Sequence, residues 1–380
     1  MKILIFSTAY FPHVGGAEVA VKEIVSRVKD AEFSMITVRL DKKDTAQEKM
    51  GNIIVYRVGW EIGRIDKLLF PFRAARLANK LHRQEKYDIA WSIMASFSGF
   101  AALFFKKKNP EIKFLLTLQE GDDLKQVERK VWLVKPWFKQ IFTKADYIQC
   151  ISSYLADWAK NMGATCAIDV VPNGVNRVSS IKYQVSSIRK DLGIGKNNKV
   201  IVTASRLVEK NGLGDLVKSV KILDGKYQMS STLIICGIGE LENELKELAK
   251  NLKVEDKVKF AGFVEPNELP KYYAAADVFC RPSLTEGLGN SFLEAMAHGV
   301  PVIATPVGGI PDFLEDGKTG WFCEVRNPES IAEKIKYILD DKNEDEVAQV
   351  VNSAKQMVLE KYNWGGIAEK MDNVFNKLIK

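Results

Sequence analysis

Two acids, Glu286 and Glu294, stand with seven residues between them in TEGLGNSFLEAMAHGVPVIATPVGG, residues 285–309. Glu294 lies between Phe292-Leu293 and Ala295-Met296, so its carboxylate is expected to be half-buried. A charge in such a place is costly unless donors satisfy it. Two neighbouring sugar hydroxyls would serve, and so would an internal salt bridge; the motif alone leaves both open. Upstream, Arg206 and Lys210 follow the apolar run KVIVTAS, with Asn211-Gly212 behind them. An Arg and a Lys four apart just past a strand end either face water in a turn or converge on a diphosphate. In the second case Arg acts as a fork and Lys as a point charge. Gly287-Leu288-Gly289 precedes a helix expected from about Asn290 to His298, with Gly299 in the left-handed position that ends helices. The first turn of that helix offers unsatisfied N–H groups to an anion.

Other phosphate chemistries fit less well. A dinucleotide fingerprint needs G-x-G-x-x-G between strand and helix. IICGIGELENEL supplies Gly237 and Gly239 but has Glu at 242, and the first strand is followed only by Gly15-Gly16. No G-x-x-x-x-G-K-[ST] occurs, so a nicotinamide enzyme and a P-loop ATPase are both disfavoured. Five scattered cysteines, no C-x-x-C and three histidines indicate neither a zinc site nor a disulfide framework. A reduced, cytosolic protein is expected.

The elements that must position these residues follow from periodicity. A chain of 380 residues exceeds what one core usually serves, so two domains are expected. At 46% hydrophobic and 27% charged residues the composition is that of a soluble globular protein. No apolar run approaches the roughly 18 residues of a membrane span. MKILIFSTAYFPHVGG places a Lys before an apolar run, as signal peptides do. The run is short, lacks a convincing cleavage site and leads into an amphipathic segment, so it reads as a first buried strand. Apolar strand-like runs then alternate with helix-like segments, which implies parallel sheets covered by helices. The alternation pauses at the polar stretch 179–198 and restarts, giving domains 1–178 and 199–363 joined by a linker. The expected fold class is α/β, two facing doubly wound (Rossmann-like) parallel-sheet domains, which bind ligands beyond the carboxyl ends of their strands.

Charge is uneven. Residues 1–180 hold 28 Lys and Arg against 19 Asp and Glu, whereas residues 181–380 hold 27 against 29. Between 60 and 147 there are 17 basic and 10 acidic residues, which covers most of the excess. RIDKLLFPFRAARLANKLHR (64–83) spaces Arg73, Arg76, Lys80 and Arg83 along one helical side, among Leu68, Phe70, Phe72 and Leu81. RKVWLVKPWFKQIFTK (129–144) sets Trp132, Trp137 and Phe138 among lysines. Such segments either lie on an anionic bilayer or simply cover a sheet with their charges in water. Nucleic acid is not expected, because no recognition motif accompanies the charge.

One ordered set of motifs ties these features together. Gly15-Gly16-Ala17-Glu18, Val171-Pro172-Asn173-Gly174-Val175, Ser205-Arg206-Leu207-x-x-Lys210-x-Gly212 and Glu286-x7-Glu294 occur in that order. Gly308-Gly309-Ile310-Pro311 and Gly317-x-x-Gly320 follow. The chain resembles, over nearly its whole length, the retaining glycosyltransferases of family 4, which have the GT-B architecture. The resemblance implies transfer of a sugar from a nucleoside-diphosphate donor to a hydroxyl of a saccharide or lipid-linked acceptor, in polysaccharide or glycolipid assembly. Arg206 and Lys210 would hold the diphosphate, Glu294 the ribose hydroxyls and Glu286 the donor sugar. Backbone amides around Leu288, Gly289 and Asn290 would reach sugar and phosphate. Gly15 and Gly16 would let the first loop approach the phosphates. Asn173 is expected to be a turn residue, and the last helix, 364–380, to pack on the first domain. No cofactor or metal is expected, since Arg and Lys can supply the charge; Asp122-Asp123 is the nearest rival metal motif. Location is expected in the cytoplasm, either free or in peripheral contact with the cytoplasmic face of the membrane.

The chain departs from the family at one point. Many members carry a His after the strand corresponding to KFLLTL, where this chain has Gln119-Glu120. Gln119 cannot titrate, so positioning falls to it and proton acceptance to Glu120; His13 would only line its loop. Two alternatives remain open at this stage: a catalytically silent nucleotide-sugar sensor or partner subunit, and a nucleotide-sugar epimerase of the same architecture.

Overall fold

The computed structural model describes residues 1–176, 188–190, 193–195 and 198–379. The chain divides into two compact α/β units, Met1–Gly174 with Trp364–Lys380, and Val175–Asn363. The linker expected over 179–198 falls mostly on residues outside the described set.

The first unit is built on eight strands: β1 (Lys2–Phe6), β2 (Glu32–Val38), β3 (Gln47–Met50), β4 (Ile53–Val58), β5 (Ile89–Ile93), β6 (Lys113–Leu118), β7 (Tyr147–Cys150) and β8 (Ala167–Val170). Their order is β3-β4-β2-β1-β5-β6-β7-β8. Every pairing is parallel except that of the edge strand β3, which runs antiparallel to β4. Residues Ile3 to Phe6 are wholly buried, as a strand covered on both faces must be. The helices are α1 (Gly16–Val25), α2 (Arg64–Glu85), α3 (Phe97–Lys108), α4 (Leu124–Lys130), α5 (Lys135–Thr143) and α6 (Ser153–Asn161).

On one sheet face α1 meets the C-terminal helix Trp364–Ile379. That helix buries Trp364, Ile367, Met371, Val374, Phe375 and Leu378, the stripe its helical period predicts. Phe375 meets Trp91 edge-on with ring centroids 5.1 Å apart. Each such side chain contributes roughly 1.5–3 kcal/mol over leaving it exposed. On the other face α2 and α3 pack together, with Phe105 5.8 Å from Phe6. Phe70, Leu81 and Phe138, from the two basic segments, are buried there, as side chains that cover a sheet are. The period identifies an apolar stripe but not which way it faces.

The second unit has six parallel strands: β9 (Lys199–Ala204), β10 (Ser231–Cys236), β11 (Val258–Gly262), β12 (Val278–Arg281), β13 (Val302–Ala304) and β14 (Trp321–Phe322). The order is β11-β10-β9-β12-β13-β14. The chain leaves β9 toward β10 on one side, while β12 lies on the other, so the strand order switches between β9 and β12. A doubly wound sheet opens its ligand crevice at such a point, beyond the carboxyl ends of the strands. Ser205-Arg206 and the loop from Pro282 to Gly289 emerge there. In the first unit the corresponding switch lies between β1 and β5.

Candidate functional site

The β9/β12 crevice collects four of the residues singled out by spacing. Arg206 is exposed, and its guanidinium has no protein partner among the described residues. Asn211 donates its side-chain N–H to the Arg206 carbonyl at 2.6 Å, closing the turn that carries Lys210. The Lys210 carbonyl accepts the Leu284 N–H at 2.6 Å, joining the two loops across the crevice. Glu286 lies on the second loop, and helix Asn290–Ala297 follows it. Gly289 takes the N-cap position with φ +93°, and no side chain caps the helix there. A Cβ at 289 would fall 2.5 Å from the Phe292 ring, so only glycine fits. The helix ends as expected, with Gly299 at φ +73°.

Glu294 finds a neutral donor rather than a salt bridge. Tyr273 Oη donates to its Oε2 at 2.8 Å. Its other oxygen has no hydrogen-bond partner among the described residues. Burial raises the carboxyl's pKa, opposed by the Tyr273 hydrogen bond and by the charge of Arg281. Tyr273 is raised in turn, by burial first and by Glu294 next.

Arg281 was not singled out in the sequence. It closes β12, is buried, and joins the end of β9, the Glu286 loop and the helix behind it. One Nη donates to the Ala204 carbonyl at 3.3 Å and to Ser291 Oγ at 2.8 Å; the other pairs with Glu286 Oε2. Its guanidinium also stacks 4.2 Å from the Phe292 ring centroid. Glu286 Oε1 accepts the Gly287 N–H at 3.0 Å, so both of its oxygens already hold a partner. The visible signal was a lone cation at the end of the apolar run DVFCR, five residues before Glu286.

The partial fingerprint Gly237-x-Gly239 has a packing role. A Cβ at Gly237, where φ is +142°, would lie 1.9 Å from the Ser205 carbonyl oxygen. One at Gly239 would lie 2.3 Å from that of Leu207. The glycines let the loop after β10 lie directly against the loop bearing Arg206.

In the first unit Gln119 and Glu120 follow β6, and both are buried. Gln119 Oε1 accepts the Asn173 side-chain N–H at 3.2 Å, so Asn173 orients Gln119 besides turning the chain. Glu120 Oε1 accepts the Ala95 N–H at 2.6 Å, while Oε2 is buried without a partner. Burial pushes this carboxyl up to about 7, outweighing its backbone hydrogen bonds, with a further rise from Asp122. Beneath it a buried polar row fixes the strand ends: Trp91 Nε1 donates to Thr117 Oγ1 at 2.7 Å, which donates to Gln149 Oε1 at 2.8 Å.

Gly15 is the N-cap of α1, with Gly16 the first residue of that helix. A Cβ at Gly15 would meet only the mobile end of the Glu18 side chain, at 2.8 Å. Packing within this unit therefore asks little of the glycine. His13 Nε2 lies 3.1 Å from the buried Asp44 carboxylate and holds its loop. Asp123 caps α4 through the Lys125 N–H at 2.9 Å. Among the described residues no three of His, Cys, Asp and Glu converge as metal ligands do.

Residues 14–178 match Glycosyltransferase Family 4, and residues 184–357 match Glycosyl transferases group 1. Both halves of the chain are glycosyltransferase domains. Over 213 residues the transferase is 34% identical to an uncharacterized glycosyltransferase of Methanocaldococcus jannaschii, covering 55% of this chain and 53% of that protein. A second uncharacterized glycosyltransferase of that organism is 25% identical over 378 residues, 100% of this chain and 99% of the relative. The GDP-mannose-dependent alpha-(1-6)-phosphatidylinositol monomannoside mannosyltransferase of Mycobacterium tuberculosis is 30% identical over 254 residues, 63% of this chain and 65% of the relative. Among solved structures, sucrose-phosphate synthase from Thermosynechococcus elongatus superposes with TM-score 0.85 at 21% identity, over 99% of this chain and 98% of the other. Anabaena HepE in complex with UDP and glucose gives TM-score 0.81 at 19% identity, covering 100% of both chains. At these identities the likeness carries the fold, two Rossmann-like units of the GT-B type.

Proposed function

We propose that the transferase moves a sugar from a nucleoside diphosphate to a hydroxyl of a saccharide or lipid-linked acceptor, retaining anomeric configuration and using no metal. The observation that carries this is Arg206: a cation without a protein partner among the described residues, at the switch point of the second sheet. Lys210 stands beside it, the uncapped helix end at Gly289 is close in the same crevice, and Glu294 keeps one oxygen open for a ribose hydroxyl. The solved neighbours described as bound to UDP, and the relative named for GDP-mannose, support a nucleotide-sugar donor. Relatives named for a phosphatidylinositol mannoside and for a monoglucosyldiacylglycerol support an acceptor carried by a lipid.

In the proposed step the bond between the anomeric carbon and the phosphate oxygen breaks, and its electron pair leaves with the diphosphate. Arg206, Lys210 and the amides of Leu288, Gly289 and Asn290 stabilise that charge as it develops. The acceptor oxygen bonds to the anomeric carbon on the face the phosphate leaves. Its proton passes to Glu120, whose raised pKa suits a group that must take a proton near neutrality. Glu286, held by Arg281, sets the donor sugar, and Gln119 positions a hydroxyl. Gly15 and Gly16 leave the first loop open to the phosphates.

A panel of nucleoside diphosphates in a thermal-shift assay tests the donor site. A diphosphate at a hundred times its Kd adds about 2.7 kcal/mol, and the midpoint should rise by about 5 °C or more for a unit of this size. A flat panel would count against the proposal. Gln119 in the usual His position favours a second possibility, a donor-binding sensor without turnover. Radiolabelled UDP- and GDP-sugars with membrane extract separate the two, because a sensor shifts in the melt but transfers nothing.

A further inference from the structure

We propose that Arg281 is a positioning residue for the donor sugar. By holding Glu286 in one orientation it separates recognition of the sugar from the holding of the nucleoside diphosphate. The inference deepens the proposed transfer and rests on it.

A guanidinium at the end of an interior strand needs a physical reason. The Arg281 side chain is only 7% exposed, and that of its ion-pair partner Glu286 14%. Compared with well-packed apolar side chains of similar volume, a buried ion pair adds little or nothing to stability. What it supplies is direction. Arg281 Nε donates to Ser283 Oγ at 3.2 Å; one Nη donates to the Ala204 carbonyl at 3.3 Å and to Ser291 Oγ at 2.8 Å. The other Nη pairs with Glu286 Oε2. The planar fork is thereby fastened to β9 at Ala204, to the loop after β12 at Ser283, and to the helix Asn290–Ala297 at Ser291. The Phe292 ring lies against its face. A fork held in this way cannot follow a partner that moves, so the partner is fixed by it.

Glu286 is gripped from other sides as well. Its Oε1 accepts the Gly287 N–H, and its carbonyl accepts the Gly309 N–H at 3.0 Å. Gly308, with φ +57°, permits that approach, because a Cβ there would lie 1.8 Å from the Glu286 carbonyl oxygen. The Gly308-Gly309 pair thus holds the backbone from which the acid projects. An acid that needed only solvation could have taken it from water. A carboxylate accepts hydrogen bonds at about four lone-pair positions, and two bonds are made to Glu286. The remaining positions are fixed in space and suit hydroxyls that donate, as those of a sugar do. Glu294 draws its support from Tyr273 instead, so the two acids of the crevice are held independently.

Calorimetric titration of the full chain with UDP against UDP-glucose, and GDP against GDP-mannose, tests the assignment on whichever pair binds more tightly. Arg281→Lys keeps the charge but cannot bridge Ser283, Ala204, Ser291 and Glu286 together. It should weaken the sugar nucleotide about tenfold, as loss of one hydrogen bond to a charged group does, and leave the free diphosphate within about twofold. Glu286→Gln should act alike. The double variant should be no weaker than either single one, because both changes remove the same interaction. Ser291→Ala, which removes one strut and no charge, should cost roughly threefold on the sugar nucleotide alone. It carries the test if Arg281→Lys fails to fold. Equal weakening of diphosphate and sugar nucleotide, additive losses in the double variant, or unaltered binding would each show a residue that only supports the fold, and would overturn the inference. If no diphosphate binds the unaltered protein, the donor site itself fails; diphosphate binding without a loss specific to the sugar sinks this inference alone.

Discussion

The crevice of the second unit and the buried pair in the first treat polar groups differently. In the second unit Glu286 is tied down at both oxygens, to Arg281 and Gly287, while Glu294 is held by Tyr273 at one oxygen and keeps the other open. The cation Arg206 is left exposed. In the first unit Glu120 is enclosed with one oxygen unsatisfied and its pKa pushed up to about 7. An exposed cation costs little and waits for an anion; an enclosed, half-satisfied acid costs several times more and is suited to taking up a proton. The proposed division, anion binding in one unit and proton chemistry in the other, rests on this contrast, and the following experiments are ordered by how hard they press on it.

Glu120→Gln should lower transfer by 10²–10⁴-fold, the usual range for a positioned base, without altering the nucleoside-diphosphate thermal shift. The pH dependence carries the sign. Below about 7 the carboxyl is protonated and cannot accept, so the rate should rise with pH through that value, and the limb should vanish in the variant. The native state also holds this proton more tightly than the unfolded chain. Its contribution to stability is therefore present at acid pH and lost as pH rises toward about 7. A rate profile flat from pH 5 to 9 would remove Glu120 from the chemistry.

Arg281→Ala should cost about 3–5 kcal/mol of stability, because it empties a buried cation site and leaves the half-buried Glu286 without its ion pair. Arg281→Lys keeps the charge but cannot span Ala204, Ser291 and Glu286 at once. It should fold, and should raise the donor KM more than it lowers kcat. Arg206→Ala should lower kcat/KM by about 10²–10³-fold, as loss of one preorganised charge does, with no change in melting temperature. Stability falling together with activity there would mean that Arg206 is structural. The smallest effect belongs to Glu294→Gln. One hydrogen bond to a charged group, about 1.5–3 kcal/mol, should raise the donor Kd by roughly ten- to a hundredfold in titration calorimetry.

How much was legible depended on whether each partner is local. Arg206 and Lys210, four apart in one turn, and Glu286 and Glu294, on a loop and the helix behind it, carry their spacing in the sequence. The helix end at Gly299 was equally plain, since a left-handed residue is a local requirement. Arg281 was not, because its partner Ala204 is 77 residues away and becomes a neighbour only when β9 pairs with β12. Tyr273 was hidden for the same reason, as was the packing role of Gly237, whose constraint is the Ser205 carbonyl. In α2, Phe70 and Phe72 look alike in the sequence, yet one is buried and the other exposed.

The sequence by itself determined the alternation of strands and helices, the doubly wound fold class, and which residue types stand at strand ends, because these depend on period and on backbone preference over a few residues. Only the tertiary structure decided which carboxylates are neutralised, which oxygen stays open and which apolar side chains remain in water. Those properties depend on groups brought together from distant parts of the chain, and on the loss of solvent that follows.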